Sequence, residues 1–227
     1  HCMIKNIVNL GDAAIYCDFG NEVNKEINSK VIKYFSALRN KNLKGITNLS
    51  PSYNKLVITF DLNETSYHNL KQEILNLDVE DKIESEFKII RIPTCFHSDF
   101  SLDIDRLEKR LNKSKREIID LFLKRKYFCY MTGFVAGMPF LGDTDDKIQL
   151  ERLETPRVKV PRGSVGLTEQ FCNIYTFESP GGWNIIGNTP ITIFNTTTQK
   201  TPNLISPGDE VIFYEITKKE YLKIYEK

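Results

Sequence analysis

Up to about residue 92, alternating apolar and polar runs are interleaved with apolar positions three and four apart. Residues 13–19 (Ala-Ala-Ile-Tyr-Cys-Asp-Phe) predict a strand. Val23, Ile27, Val31, Tyr34 and Leu38 then form the apolar stripe of an amphipathic helix. Residues 43–49 and 55–60 predict two strands, with Pro51-Ser52 as the turn between them. Thr65 or Ser66 stands where it can cap a second helix carrying Leu70, Ile74 and Leu77. Residues 87–92 predict a further strand. The order β-α-β-β-α-β is the split βαβ pattern of a ferredoxin-like α/β domain, here assigned to residues 3–92.

Pro93 marks the boundary to a second domain, residues 93–227. It opens with two helices. Residues 102–111 carry Ile104, Leu107 and Leu111 on one face. Ser114-Lys115-Arg116-Glu117 is a capping box that starts the next, with Ile118, Leu121 and Phe122 turned inward. From Tyr127 onward the helical period is gone. Strands are predicted over 127–135, 163–167, 173–177, 183–186, 191–194 and 210–216. Ser206-Pro207-Gly208-Asp209 suits a type II turn, with Pro and then Gly at its centre. The whole is an α+β chain whose second half is mainly β, expected to close into a barrel and so remove its own edges.

That second half is organised around residues 133–190, which hold five of the nine prolines, eight of the twelve glycines and the only tryptophan. Such a stretch cannot be regular helix. Short strands joined by tight turns are expected, with Pro139, Pro156, Pro161, Pro180 and Pro190 fixing backbone angles at the corners. Either the corners simply shape a barrel, or they also enclose a groove with Arg157, Ser164 and Trp183 on its wall.

Composition narrows the partners. Of the 227 residues 41% are hydrophobic and 27% charged, which fits a packed soluble protein, and a formal net charge of +1 gives no reason to expect nucleic acid or a membrane surface. No apolar run reaches the length of a membrane-spanning helix, and no signal peptide precedes the first strand. Five cysteines, none in a C-x-x-C pair, point to reduced thiols and a cytoplasmic location. Cys17, Cys129 and Cys172 lie in apolar runs and read as small core residues.

Little in the sequence carries chemistry by itself. There is no phosphate-binding G-x-x-x-x-G-K-[ST] loop. Gly163-Ser164-Val165-Gly166 is not a nucleophile elbow, and Ser164 as a nucleophile would need a base within hydrogen-bond reach. Cys95, His97 and Asp99 lack the spacing of a zinc template, and Asp143, Asp145 and Asp146 lack that of a calcium loop, so no metal is expected. Arg157, held between Pro156 and Val158, can grip a carboxylate bidentately. A ligand, a partner or the chain itself could supply that carboxylate. Trp183, after Gly181-Gly182, is either a core anchor or a binding wall.

Three linked motifs carry a resemblance. They are Gly133-Phe134-Val135-Ala136-Gly137-Met138-Pro139-Phe140-Leu141-Gly142, then Thr155-Pro156-Arg157 running to Val160-Pro161-Arg162-Gly163-Ser164-Val165-Gly166, then Ser179-Pro180-Gly181-Gly182-Trp183 running to Gly187-Asn188-Thr189-Pro190. With Gly11-Asp12, Phe19-Gly20, Ile92-Pro93 and Pro207-Gly208-Asp209, nearly the whole chain resembles the family that contains the B-type component of bacterial 5-oxoprolinase, the sporulation kinase inhibitor KipI and allophanate hydrolase subunit 1. The resemblance implies a small α/β domain followed by a cyclophilin-like β-barrel. It implies work beside a homologous C-type barrel subunit and an A-type subunit in the ATP-dependent opening of 5-oxo-L-proline to L-glutamate, with ATP and magnesium acting through the complex. A KipI-type inhibitor of a histidine kinase and an allophanate hydrolase subunit are the alternatives.

Under the resemblance, substrate or partner contact falls to Phe134, Pro139, Phe140, Arg157, Ser164, Gly181, Gly182 and Trp183. Arg157 would hold a substrate carboxylate, and Ser164 with neighbouring backbone N–H groups would donate to a carbonyl or phosphate. No catalytic residue is assigned. The chain departs from the family pattern at Ala136 and Met138, at Asn188 in place of Arg, at Cys172-Asn173 in a segment usually rich in Gly, and at Phe122 in place of His.

Overall fold

A computed structural model describes residues 3–79, 87–197 and 202–226. The chain divides into two compact units, His1–Phe87 and Lys88–Lys227.

In the first unit the strands are β1 (Asn6–Asn9), β2 (Ala14–Asp18), β3 (Ile46–Pro51) and β4 (Lys55–Phe60). They form one antiparallel sheet in the order β1-β2-β4-β3. Helices α1 (Lys25–Lys41) and α2 (Tyr67–Leu75) follow β2 and β4. The Asn24 side chain caps α1, and Asn42 ends it in a left-handed conformation. Ser66, not Thr65, caps α2. Period-two burial along β2 and β4 places Ile15, Cys17, Leu56 and Ile58 against Val31, Tyr34 and Leu38 of α1 and Leu70 and Ile74 of α2. The β-α-β-β-α order is therefore present from β2 to α2.

The expected last strand of that pattern is not in this sheet. Residues 87–92 lead into β5 (Ile89–Thr94), which pairs parallel with β13 (Glu210–Glu215) in the second unit. Two local causes hold it there. Ile92 is buried in the second core, and the Lys88 N–H donates to Asp209 Oδ1 at 3.0 Å. The place beside β2 is taken by β1, which the sequence pattern did not announce. The division accordingly falls after Phe87 and not after Ile92.

The second unit adds helices α3 (Ile104–Leu111), α4 (Lys115–Leu123) and α5 (Lys218–Tyr225). Its strands after β5 are β6 (Lys126–Thr132), β7 (Pro139–Gly142), β8 (Arg157–Val160), β9 (Ser164–Thr168), β10 (Phe171–Ile174), β11 (Ser179–Gly181), β12 (Asn184–Asn188) and β13. Six of them join β5 in a curled seven-stranded sheet of order β12-β9-β10-β7-β6-β13-β5, while β8 and β11 form a separate antiparallel ribbon. The outer strands β12 and β5 meet at one pair. Cys95 and Asn188 exchange backbone hydrogen bonds of 2.8 and 3.0 Å. A Cβ on Gly187 would stand 2.9 Å from the Cys95 carbonyl oxygen, so this approach needs glycine there.

Ser114 and Glu117 complete the capping box of α4, and its buried residues are Ile118, Ile119 and Phe122, with Leu121 only partly covered. The turn at 206–209 has Gly208 at φ +94 and the Asp209 N–H bonded to Ser206 O, the geometry that Pro-Gly predicts. Residues 191–194 are not a ladder strand. Only Phe194 bridges, to Asn203, while Ile193 turns into the core after Pro190. Helix α5 is an addition. Its own capping box, Thr217 with Glu220, is an S/T-x-x-E signal visible in the sequence. No helix among the described residues is long and apolar enough to cross a membrane.

Phe122 sits at the centre of the main core, with ring centroids 4.8 Å from Phe213, 5.1 Å from Tyr127 and 6.1 Å from Phe96. The Tyr127 hydroxyl donates to the Phe122 carbonyl at 2.8 Å. An aromatic hydrocarbon here holds α4 to the sheet. Phe122→Ala is expected to lower the stability of this unit by about 3–5 kcal/mol, read as a fall in the midpoint of urea unfolding. An unchanged midpoint would show that this cluster does not carry the packing.

Candidate functional site

The ribbon of β8 and β11 sets Arg157 opposite Gly181 and Val160 opposite Ser179. Arg157 reaches to Asp103, at the start of α3. The pair is bidentate, with Nη1 donating to Oδ2 and Nη2 to Oδ1, both at 2.7 Å. Asp103 is 6% exposed, and its Oδ2 also accepts the Ile185 N–H at 2.7 Å. The Asp103 N–H in turn donates to the Ile185 carbonyl. Although it occupies the cap position of α3, its side chain makes no capping bond. The hydrogen bonds from Arg157 to Asp103 raise the guanidinium further above its already high pKa. The carboxylate that Arg157 grips is thus the chain's own.

Behind the ribbon lies a small second core of Met138, Val160, Tyr175 and Ile185, with Val135 and Phe140 packed against it. Trp183 meets Phe140 edge to face at 5.7 Å and is half-buried. Tyr175 is buried, and burial pushes its phenol up against the opposing influence of the Asn173 side chain and the Trp183 backbone. Gly181 is needed because a Cβ would lie 2.1 Å from the Tyr175 hydroxyl. Gly182 lies against the Arg152 guanidinium. Asn173 is fully enclosed. Its Nδ2 donates to Met138 Sδ at 3.5 Å, and its Oδ1 has no hydrogen-bond partner.

Ser164 is buried at the start of β9 and makes no side-chain hydrogen bond to a histidine or carboxylate among the described residues. Its N–H donates to Pro161 O and that of Gly163 to Tyr175 O, so neither is free to polarise a carbonyl. Asn188, where the family pattern has Arg, is an internal linker. Its Nδ2 donates to Arg162 O and its Oδ1 accepts the Tyr221 hydroxyl. Pro139 is buried at the start of β7, paired with Thr132. Phe134 alone points outward, 86% exposed and at φ +63.

The structure therefore brings Phe140, Gly181 and Trp183 around Tyr175 and Asn173, ties Arg157 to Asp103, buries Ser164 and leaves Phe134 in solvent. The four described cysteines are buried, and burial pushes the thiols of Cys95, Cys129 and Cys172 up, away from thiolate chemistry. Among the described residues no three of His, Cys, Asp or Glu gather to hold a metal. What the cluster offers is apolar contact from Phe140 and Trp183. Asp103 and Tyr175 carry no signal of their own in the sequence, and Asn173 enters it only as a departure from the family pattern. Only the alternation of 173–177 hinted that Asn173 and Tyr175 face inward together.

The chain matches the family described as "Carboxyltransferase domain, subdomain C and D" over residues 5–205. It is 32% identical to the 5-oxoprolinase B-type component of Bacillus subtilis (strain 168), over 95% of this chain and 94% of that protein. It is 30% identical to the corresponding 5-oxoprolinase component of Haemophilus influenzae, over 92% of this chain and 96% of that protein. The crystal structure of TTHA0988 superposes with a TM-score of 0.81 at 28% identity, covering 90% of this chain. This chain spans 40% of that longer protein.

Asp103→Ala is expected to cost about 2–3 kcal/mol, less than a fully enclosed pair because Arg157 keeps 30% exposure. Arg157→Ala added to it should cost little more, since its partner is already gone. Additive losses in a double-mutant cycle of thermal unfolding would show that the two groups are not coupled.

Proposed function

Since the chain belongs to the carboxyltransferase-domain family, subdomains C and D, we propose that it acts as the B-type component of an ATP-dependent 5-oxoprolinase, opening 5-oxo-L-proline to L-glutamate with A- and C-type subunits. The observation that carries this reading is the near full-length identity of 32% and 30% to two proteins of that name. A fold shared with part of a longer chain fits a component that works beside others.

In this reading the chain binds and positions, and the reacting groups lie with its partners. Ring opening needs the lactam carbonyl polarised and water delivered to it. Ser164 is enclosed and its N–H is committed, and Arg157 is held by Asp103, so neither serves the reaction directly. Phe140 and Trp183 supply an apolar wall, and Phe134 reaches outward for partner contact. ATP supplies the activation of the carbonyl oxygen. The sequence carries no G-x-x-x-x-G-K-[ST] loop, so in this reading ATP and magnesium act through the complex.

The test is reconstitution with the A- and C-type subunits of the same organism, followed by ATP-dependent glutamate release from 5-oxo-L-proline. Glutamate is expected only when all three are present, and Trp183→Ala is expected to cut turnover or complex formation roughly tenfold, about the effect of losing one interface anchor. A stable complex that turns over only another cyclic amide or a urea derivative would overturn the substrate. Failure to form any complex would overturn the role as a component of such an assembly.

A further inference from the structure

A recess in the second unit is lined by none of the motif residues. It has a volume of about 510 Å³ and lies where the end of β5 meets the first turns of α4 and α5. Its floor is apolar, made by Phe96, Ile119 and Ile216 beside the Cys95 thiol. Its rim is mostly basic: His97, Lys115, Arg116 and Lys218, with Glu215 as the single acid. A recess of this size matches the volume of small-molecule sites.

The rim charges are not equivalent. Arg116 is paired with Asp120 and with Glu215, at 2.7 and 2.8 Å. Lys218 is paired with Asp99, which also lies 3.5 Å from His97. Lys115 differs. Its ammonium donates to the Ser101 hydroxyl at 3.1 Å and forms no ion pair among the described residues. Glu108, the nearest acid on α3, accepts the Lys115 backbone N–H instead, at 2.6 Å. One cation is therefore left over beside an apolar floor. The starts of α4 and α5 are already met by the capping carboxylates of Glu117 and Glu220, so the charge left over is that of Lys115.

We propose that this recess binds a small monocarboxylate with an apolar body, its head on Lys115 and its chain over Phe96, Ile119 and Ile216. One unpaired ammonium calls for one negative charge. The floor calls for more than a bare anion, which would stay hydrated and leave it uncovered. The site is separate from the motif cluster and does not depend on the 5-oxoprolinase reading.

The test is titration of sodium hexanoate into the ¹⁵N-labelled full chain, followed by amide shifts. Saturable shifts are expected at Cys95, Phe96, His97, Lys115, Ile216 and Thr217, with a Kd below about 1 mM. Lys115→Gln, which keeps a donor for Ser101, should weaken binding by roughly tenfold or more. Hexanol and inorganic phosphate should each bind roughly tenfold more weakly than hexanoate, because each lacks one half of the recognised chemistry. No saturation by about 10 mM, shifts centred elsewhere, or equal binding by Lys115→Gln would overturn the site. Phosphate binding as tightly as hexanoate would overturn the apolar half of the assignment.

Discussion

Asp103 joins three segments that are far apart in the chain. Its carboxylate takes both guanidinium nitrogens of Arg157 and the Ile185 N–H, while its own N–H bonds the Ile185 carbonyl. A carboxylate so enclosed is tolerable only because every contact is charge-assisted or made to the backbone. The consequence is positional. The start of α3, the strand β12 and the ribbon of β8 and β11 are held to one point. With the ribbon fixed, Gly181 closes over Tyr175, and Trp183 comes to rest on Phe140.

A similar joint appears at the edges of the curled sheet. Cys95 and Asn188 join the outer strands with two backbone hydrogen bonds, and Asn188 then ties in Arg162 and Tyr221 through its side chain. The arginine of the family pattern would be too long for that internal role. The departure at Asn188 thus falls on a structural joint. Phe122 is another, an apolar ring at the middle of the main core.

Local signals were legible wherever neighbours in sequence do the work. Ser114 and Glu117 close a capping box within four residues, Pro207-Gly208 makes its own turn, and the stripe of Val31, Tyr34 and Leu38 needs only helical spacing to mark a buried face. The three motifs announced the family because tight turns demand particular residues at particular positions. Even α5 was written in its Thr217–Glu220 box.

What the sequence by itself determined, then, is helices α1 to α4, strands β2 to β4, the mainly β character of the second half and the stretch around which it is built. Tertiary structure alone decided which strand joined which sheet. Residues 89–94 have the same alternation in either unit, and only the pairing with β13 and the burial of Ile92 assign them to the second. It also decided the fate of Arg157. A guanidinium in sequence is equally ready for a substrate, a partner or an internal acid. The acid that claimed it lies 54 residues away, brought there by packing that no local pattern encodes.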